Sequence, residues 1–78
     1  MSKKQEQGVV VDARGRSCPE PVVMTKRALD AMVGGELTVL VDVSVARDNV
    51  CRFIQNNARK TPEVAEISPG EWQIRVRL

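Results

Sequence analysis

Val9-Val10-Val11-Asp12-Ala13-Arg14-Gly15-Arg16-Ser17-Cys18-Pro19-Glu20-Pro21 carries a strand into a helix, and the fold can be built outward from that junction. The valine run is β-branched and reads as a first strand from Val9 to Ala13, ended by Gly15. A proline suits the first helical position, where its missing N–H would have found no intrahelical partner, so Pro19 is expected there. The residue before a proline is pushed toward extended geometry, which is what a helix cap needs, so Cys18 is expected to be the cap. Pro21 falls in the first turn, where losing another donor does no harm. The two prolines thus stiffen the helix start and present the sulfur at its mouth.

From that junction the chain reads in order. The first helix is expected over about Pro19 to Met32, with Val22, Val23, Ala28, Leu29, Met32 and Val33 as its apolar face and Gly34-Gly35 as its stop. A second β-branched strand follows from Glu36 to Asp42, and strand, helix, strand with short joints implies a right-handed parallel unit. Ser44 is a candidate cap for a second helix over roughly Val45 to Ala58, whose apolar stripe is Ala46, Val50, Phe53, Ile54 and Ala58. Thr61-Pro62 interrupts the chain. Val64 to Ile67 forms a short strand, and Ser68-Pro69-Gly70-Glu71 reads as a hairpin turn. In the last strand Trp72, Ile74, Val76 and Leu78 alternate with Gln73, Arg75 and Arg77, so one face is covered and the other wet. The order βαβαββ gives an α+β fold: a two-layer α/β sandwich, a mixed four-stranded sheet with two helices on one face.

Seventy-eight residues make one domain, expected over residues 8–78 behind a disordered tail at residues 1–7. The chain is 42% apolar and 28% charged, the balance of an ordinary intracellular domain with reduced thiols, and the cytoplasm is the expected compartment. The polar N-terminus has no apolar stretch long enough for a signal peptide or membrane span. Twelve basic and ten acidic residues leave a net charge of +2, a weak polyanion signal. Two cysteines and no histidine exclude an ordinary zinc or haem site built from this chain alone, so no cofactor is expected.

The chemistry then rests on Cys18. A thiol reacts as its thiolate, and thiols at helix N-termini have pKa values lowered to roughly 3.5–7.5 from about 8.5. The mild end of that range is expected here. Glu20 adds a negative charge, the prolines remove two donors, and no histidine is present to act as base, while Arg14 and Arg16 pull the other way. Cys51 sits beside the stripe of the second helix. It reads as a half-buried flank residue, with a resolving thiol for Cys18 as the alternative.

Asp12-Ala13-Arg14-Gly15 leading to Cys18-Pro19-Glu20-Pro21-Val22-Val23-Met24-Thr25-Lys26 closely resembles the signature of the TusA/SirA-like sulfur carriers, especially the N-terminal domain of the YedF-type branch. The stretch from Val41 to Val50 with Arg52-Phe53 is similar to that branch's approach to its second helix. The resemblance spans residues 9–78 and implies the same two-layer fold, with Cys18 as the sulfur-bearing residue. Arg16 departs from the pattern, because that position is usually apolar; the resemblance leaves either a differently packed loop or a charge that serves a partner. YedF-type proteins often carry a further C-terminal domain, for which 78 residues leave no room.

The resemblance implies a carrier that takes sulfane sulfur from a cysteine desulfurase or rhodanese-like donor, holds it as a persulfide on Cys18, and passes it to an acceptor sulfur-relay protein. Pro19, Glu20, Pro21, Asp12, Arg14, Arg16, Gly15 and Lys26 are the supporting motif. Asp12 is expected to orient the loop by accepting backbone N–H bonds, and the cations to hold the persulfide charge or dock an acidic partner. Two other readings are open: an RNA- or protein-binding module on the wet face at Arg75 and Arg77, and a thiol switch pairing Cys18 with Cys51. Direct nucleic-acid binding is disfavoured, since Phe53 and Trp72, the chain's two aromatics, are both assigned to the core.

Overall fold

A sheet of four strands in the order β1-β2-β4-β3 organises the molecule. The computed structural model describes residues 8–17 and 19–78, so the expected tail at residues 1–7 and Cys18 itself lie outside the described residues. The elements are β1 (Gly8–Asp12), α1 (Glu20–Ala31), β2 (Glu36–Val41), α2 (Ser44–Ala58), β3 (Glu63–Ser68) and β4 (Glu71–Arg77). β1 and β2 run parallel, and β4 pairs antiparallel with both β2 and β3. This is the βαβαββ sandwich expected from the sequence.

Burial follows the period of the strands. Leu37, Val39 and Val41 of β2 are completely buried, as are Ile74 of β4 and Val50 and Ile54 of α2. Each such side chain contributes about 1.5–3 kcal/mol by leaving water, so the centre of the sheet is where most of the stability resides. Helix α1 lies over β1 and β2, and α2 over β2 and β4, whereas neither helix reaches β3. β3 is consequently exposed along all six residues, with Val64 and Ile67 each nearly half accessible. Ile67 falls at an irregularity in the β3–β4 register, between Glu66 and Ser68, and Gly70 closes the hairpin at a φ of 80° that favours glycine. On the open face Arg75 is held by Glu36 (3.6 Å) and Glu63 (3.4 Å). No helix among the described residues is long and apolar enough to cross a membrane.

Several local expectations are corrected. Pro19 is the cap of α1 rather than its first helical residue, and the cap therefore does not fall on Cys18. The Pro19 carbonyl accepts the N–H groups of Val22 and Val23, both at 3.1 Å, and the Ser17 carbonyl accepts that of Glu20 at 2.8 Å. Pro21 then occupies the second helical position. The face of α1 is also rotated from the expected stripe: Val23 and Val33 are exposed, and the fully covered positions are Pro21 and Thr25. Hydrophobicity hides this, because Thr25 is polar by name. Its Oγ1 donates to the Pro21 carbonyl at 2.8 Å, so the buried hydroxyl is satisfied within the helix. The helix stops at Met32, whose extended backbone (φ −95°, ψ 141°) ends it before Gly34-Gly35. Ser44 is the first residue of α2 rather than its cap. Val43 takes that place in extended geometry, its carbonyl accepting the Arg47 N–H at 3.0 Å. Phe53, expected in the apolar stripe of α2, is only half-buried and borders a surface hollow with Lys26 and Asn57.

Candidate functional site: the loop between the first strand and the first helix

The parallel strands β1 and β2 end side by side, and β4 begins at the same end of the sheet, with Asp12 opposite Leu40 and Val41 opposite Trp72. The loop from Ala13 to Pro19 spans that end. Ala13 is buried and its N–H continues the ladder to the Leu40 carbonyl at 2.9 Å. Beyond it the chain turns, with the Arg16 N–H returning to the Ala13 carbonyl at 3.3 Å. The turn needs Gly15 at a φ of 76°, in the left-handed region where a Cβ is strained.

Three carboxylates around the loop fix this turn. Asp12 receives a two-pronged contact from Arg14, Nε to Oδ1 and Nη2 to Oδ2, both at 2.8 Å, and its Oδ1 also accepts the Arg14 N–H at 3.2 Å. The backbone bond is the role expected of Asp12. Arg14 Nη1 reaches Glu71 Oε1 at 3.4 Å, tying the loop to the start of β4. From the other side Asp42, just past β2, accepts the Gly15 N–H on Oδ2 at 3.0 Å. The Arg14 side chain and its N–H hold the Asp12 carboxyl down at about 2, with smaller help from the charges of Arg14 and Arg16, and the same contact raises the Arg14 guanidinium above its usual range. Arg14 is thus engaged by carboxylates on both sides.

The other motif residues divide by place. Arg16, Ser17, Pro19 and Glu20 are exposed around the sequence position of Cys18, while Pro21 is buried beneath them. Lys26 is not brought to this group. It pairs with Asp30 at 2.7 Å along α1 and borders a hollow with Leu29, Asn57 and Leu78 at the opposite end of the sheet. Sequence reasoning missed Asp42 and Glu71. Asp42 follows from the parallel register, which places the residues just past β2 against the loop that leaves β1; the register itself is not visible in composition. Nothing in the sequence singles out Glu71.

Beside the loop lies a cavity of about 420 Å³, lined on one side by Gly15 to Ser17 and on the other by Asp42, Val43, Val45 and Ala46. Deeper along α2, the Arg47 guanidinium stands 4.8 Å over the half-buried Trp72 ring, and its Nε pairs with Asp48 at 3.0 Å. Cys51 is half-buried against the core, as expected of a flank residue. Burial pushes its thiol up, the Asp48 charge adds to this, and Arg47 opposes it.

Residues 9–78 match the family described as "Sulfurtransferase TusA". A relative from Thermotoga maritima named "Putative sulfur carrier protein" is 35% identical over 69 residues, covering 87% of each chain. One of the same description from Methanocaldococcus jannaschii is 37% identical over 68 residues, covering 86% of this chain and 89% of its own. The crystal structure of a SirA-like protein from Desulfitobacterium hafniense superposes with a TM-score of 0.75 at 31% identity, covering 88% of this chain and 95% of that one.

Proposed function

Because this chain belongs to the TusA sulfurtransferase family, we propose that it relays sulfane sulfur as a persulfide on Cys18, from a donor protein to an acceptor. The observation that carries the reading is the loop in which Cys18 sits in sequence: exposed on both flanks, at Ser17 and Pro19, yet anchored through Gly15 to Asp42 and through Arg14 to Asp12 and Glu71. An anchored loop with exposed flanks suits a carrier, which must meet two partners in turn without a chemical apparatus of its own.

The transfer balances without an external oxidant. The Cys18 thiolate attacks the outer sulfur of the donor's persulfide, a new S–S bond forms, the donor's S–S bond breaks, and the donor cysteine leaves as a thiolate. The reverse pattern delivers the sulfur to the acceptor. With no histidine in the chain, the thiolate is made by the local field and by the partner. Asp12, Arg14 and Gly15 shape the loop, Arg16 and Glu20 stand at its rim, and Pro19 and Pro21 fix the helix behind it. The donor we propose is a cysteine desulfurase or rhodanese-like protein, and the acceptor another thiol of a sulfur-relay chain. The proposed compartment is the cytoplasm, where a carrier thiol stays reduced between transfers.

Neither competing reading gains an observation in its favour. Arg75 on the open face is engaged by two glutamates, and Trp72 lies beneath Arg47, which leaves little for stacking bases. The raised Cys51 thiol is a poor partner for a switch, because less of it is thiolate. The test is direct. Incubated with a cysteine desulfurase and cysteine, the wild type gains one sulfur by intact mass, lost on reduction, and Cys18→Ser gains none. No addition to the wild type, or equal addition to Cys18→Ser, removes the relay reading.

A further inference from the structure

The cavity beside the loop is open, and two features of its wall are unexplained by the fold. Val43 and Val45 are 48% and 58% exposed, and with Ala46 they make a small apolar wall facing Gly15 to Ser17. Single exposed valines are ordinary; two that flank one cavity next to the reactive loop form a patch. Arg16 stands on the opposite rim. Of the three arginines at this end, Arg14 is held by Asp12 and Glu71, and Arg47 by Asp48 and Trp72. Arg16 makes no ion pair among the described residues, and only its longer-range field reaches Asp12. The one carboxylate in the wall, Asp42, is half-buried and engaged by the Gly15 N–H.

From this arrangement we infer that the cavity receives an extended segment of a relay partner in which an acidic residue lies beside an aliphatic one. The aliphatic side chain enters between Val43 and Val45, and the carboxylate meets Arg16. The inference rests on the relay reading for its partner, and it adds the chemistry by which that partner is chosen. Apolar contact supplies the hold, while the exposed charge pair supplies direction and discrimination against basic segments.

The probe is the capped peptide acetyl-aspartyl-leucyl-seryl amide, titrated at millimolar concentration into the full chain carrying Cys18→Ser and followed by backbone amide NMR. Removing the thiol makes the readout independent of sulfur transfer. The amides of Gly15, Arg16, Val43 and Val45 should move. A lysyl-leucyl-seryl counterpart should bind roughly two- to fivefold more weakly at low salt, the range of an exposed ion pair. An aspartyl-glycyl-seryl peptide should move those amides little. Added Arg16→Gln should equalise the acidic and basic peptides, and added Val45→Asn should weaken both. Both sites are exposed, so unchanged melting temperatures check that each variant is folded.

Equal binding of acidic and basic peptides, shifts confined to other surfaces, or no shift at all would each overturn the docking inference. Such a result with normal persulfide loading of the unmutated chain sinks the docking inference alone. Selective peptide binding by a chain that fails to load sulfur sinks the relay reading alone.

Discussion

Strand β2 and the loop that follows β1 lie one strand apart and are held by opposite physics. β2 alternates between complete burial and half-burial along its length, and its stability comes from apolar area removed from water. Among its described residues the loop buries little beyond Ala13 and is held by polar ties at the surface: Arg14 to Asp12 and Glu71, and Gly15 to Asp42. Surface ties of this kind add little to stability, but they fix geometry. In this molecule the scaffold and the reactive loop are therefore separable, and substitutions should divide cleanly between them.

The largest expected effect is in the scaffold. Leu37→Ala, at a fully buried position of β2, should destabilise by about 2–5 kcal/mol in urea unfolding. Below its melting temperature the variant should still load sulfur at the wild-type rate. A variant that is folded but inactive would break the separation. Next comes Gly15→Ala, which forces a Cβ into the left-handed region at φ 76° and should cost roughly 1–2 kcal/mol. Unlike Leu37→Ala, it should slow persulfide transfer while the protein is fully folded, as single-turnover kinetics would reveal.

A smaller effect belongs to pH. The Asp12 carboxyl is lowered from 3.8 to about 2 by Arg14, so the charged pair favours the folded state above pH 3.8, and that contribution fades as pH falls toward about 2. Asp12→Asn should thus be less stable than wild type at neutral pH, with the two melting curves converging across that acid window. The pair is exposed, so added salt should shrink the gap as well. Curves that stay parallel through the window would show that the contact is not made in solution. Smallest of all is Ile67→Thr at the register irregularity of β3, expected to change stability by no more than about 0.5 kcal/mol because that strand lies beyond both helices. A cost near that of Leu37→Ala would mean that β3 is covered in solution.

Which parts were readable from the sequence follows the same division. Element order, the parallel β1–α1–β2 unit and the alternation of β4 all follow from hydrophobic period and turn residues, because apolar burial leaves its period in the chain. The face of α1 was misjudged by hydrophobicity alone: Thr25 is buried because its hydroxyl is satisfied by the Pro21 carbonyl, a bond no hydropathy value encodes. Both helix starts fell one residue from expectation: the caps are Pro19 and Val43, whose backbone carbonyls accept N–H groups of the first turn, and Ser44 already lies inside α2. At the site, Asp12 and Arg14 were legible because they sit two residues apart. Asp42 and Glu71 arrive from 27 and 57 residues away, through the register of the sheet.

The most direct test is to find where the sulfur goes. After loading by a cysteine desulfurase, trapping of persulfides and tryptic cleavage, peptide mass analysis should place the added sulfur in the fragment spanning residues 17–26, which contains Cys18. The fragment spanning residues 48–52, which contains Cys51, should remain unmodified. Sulfur found on Cys51 instead, or shared equally between the two, would contradict a carrier built on the anchored loop.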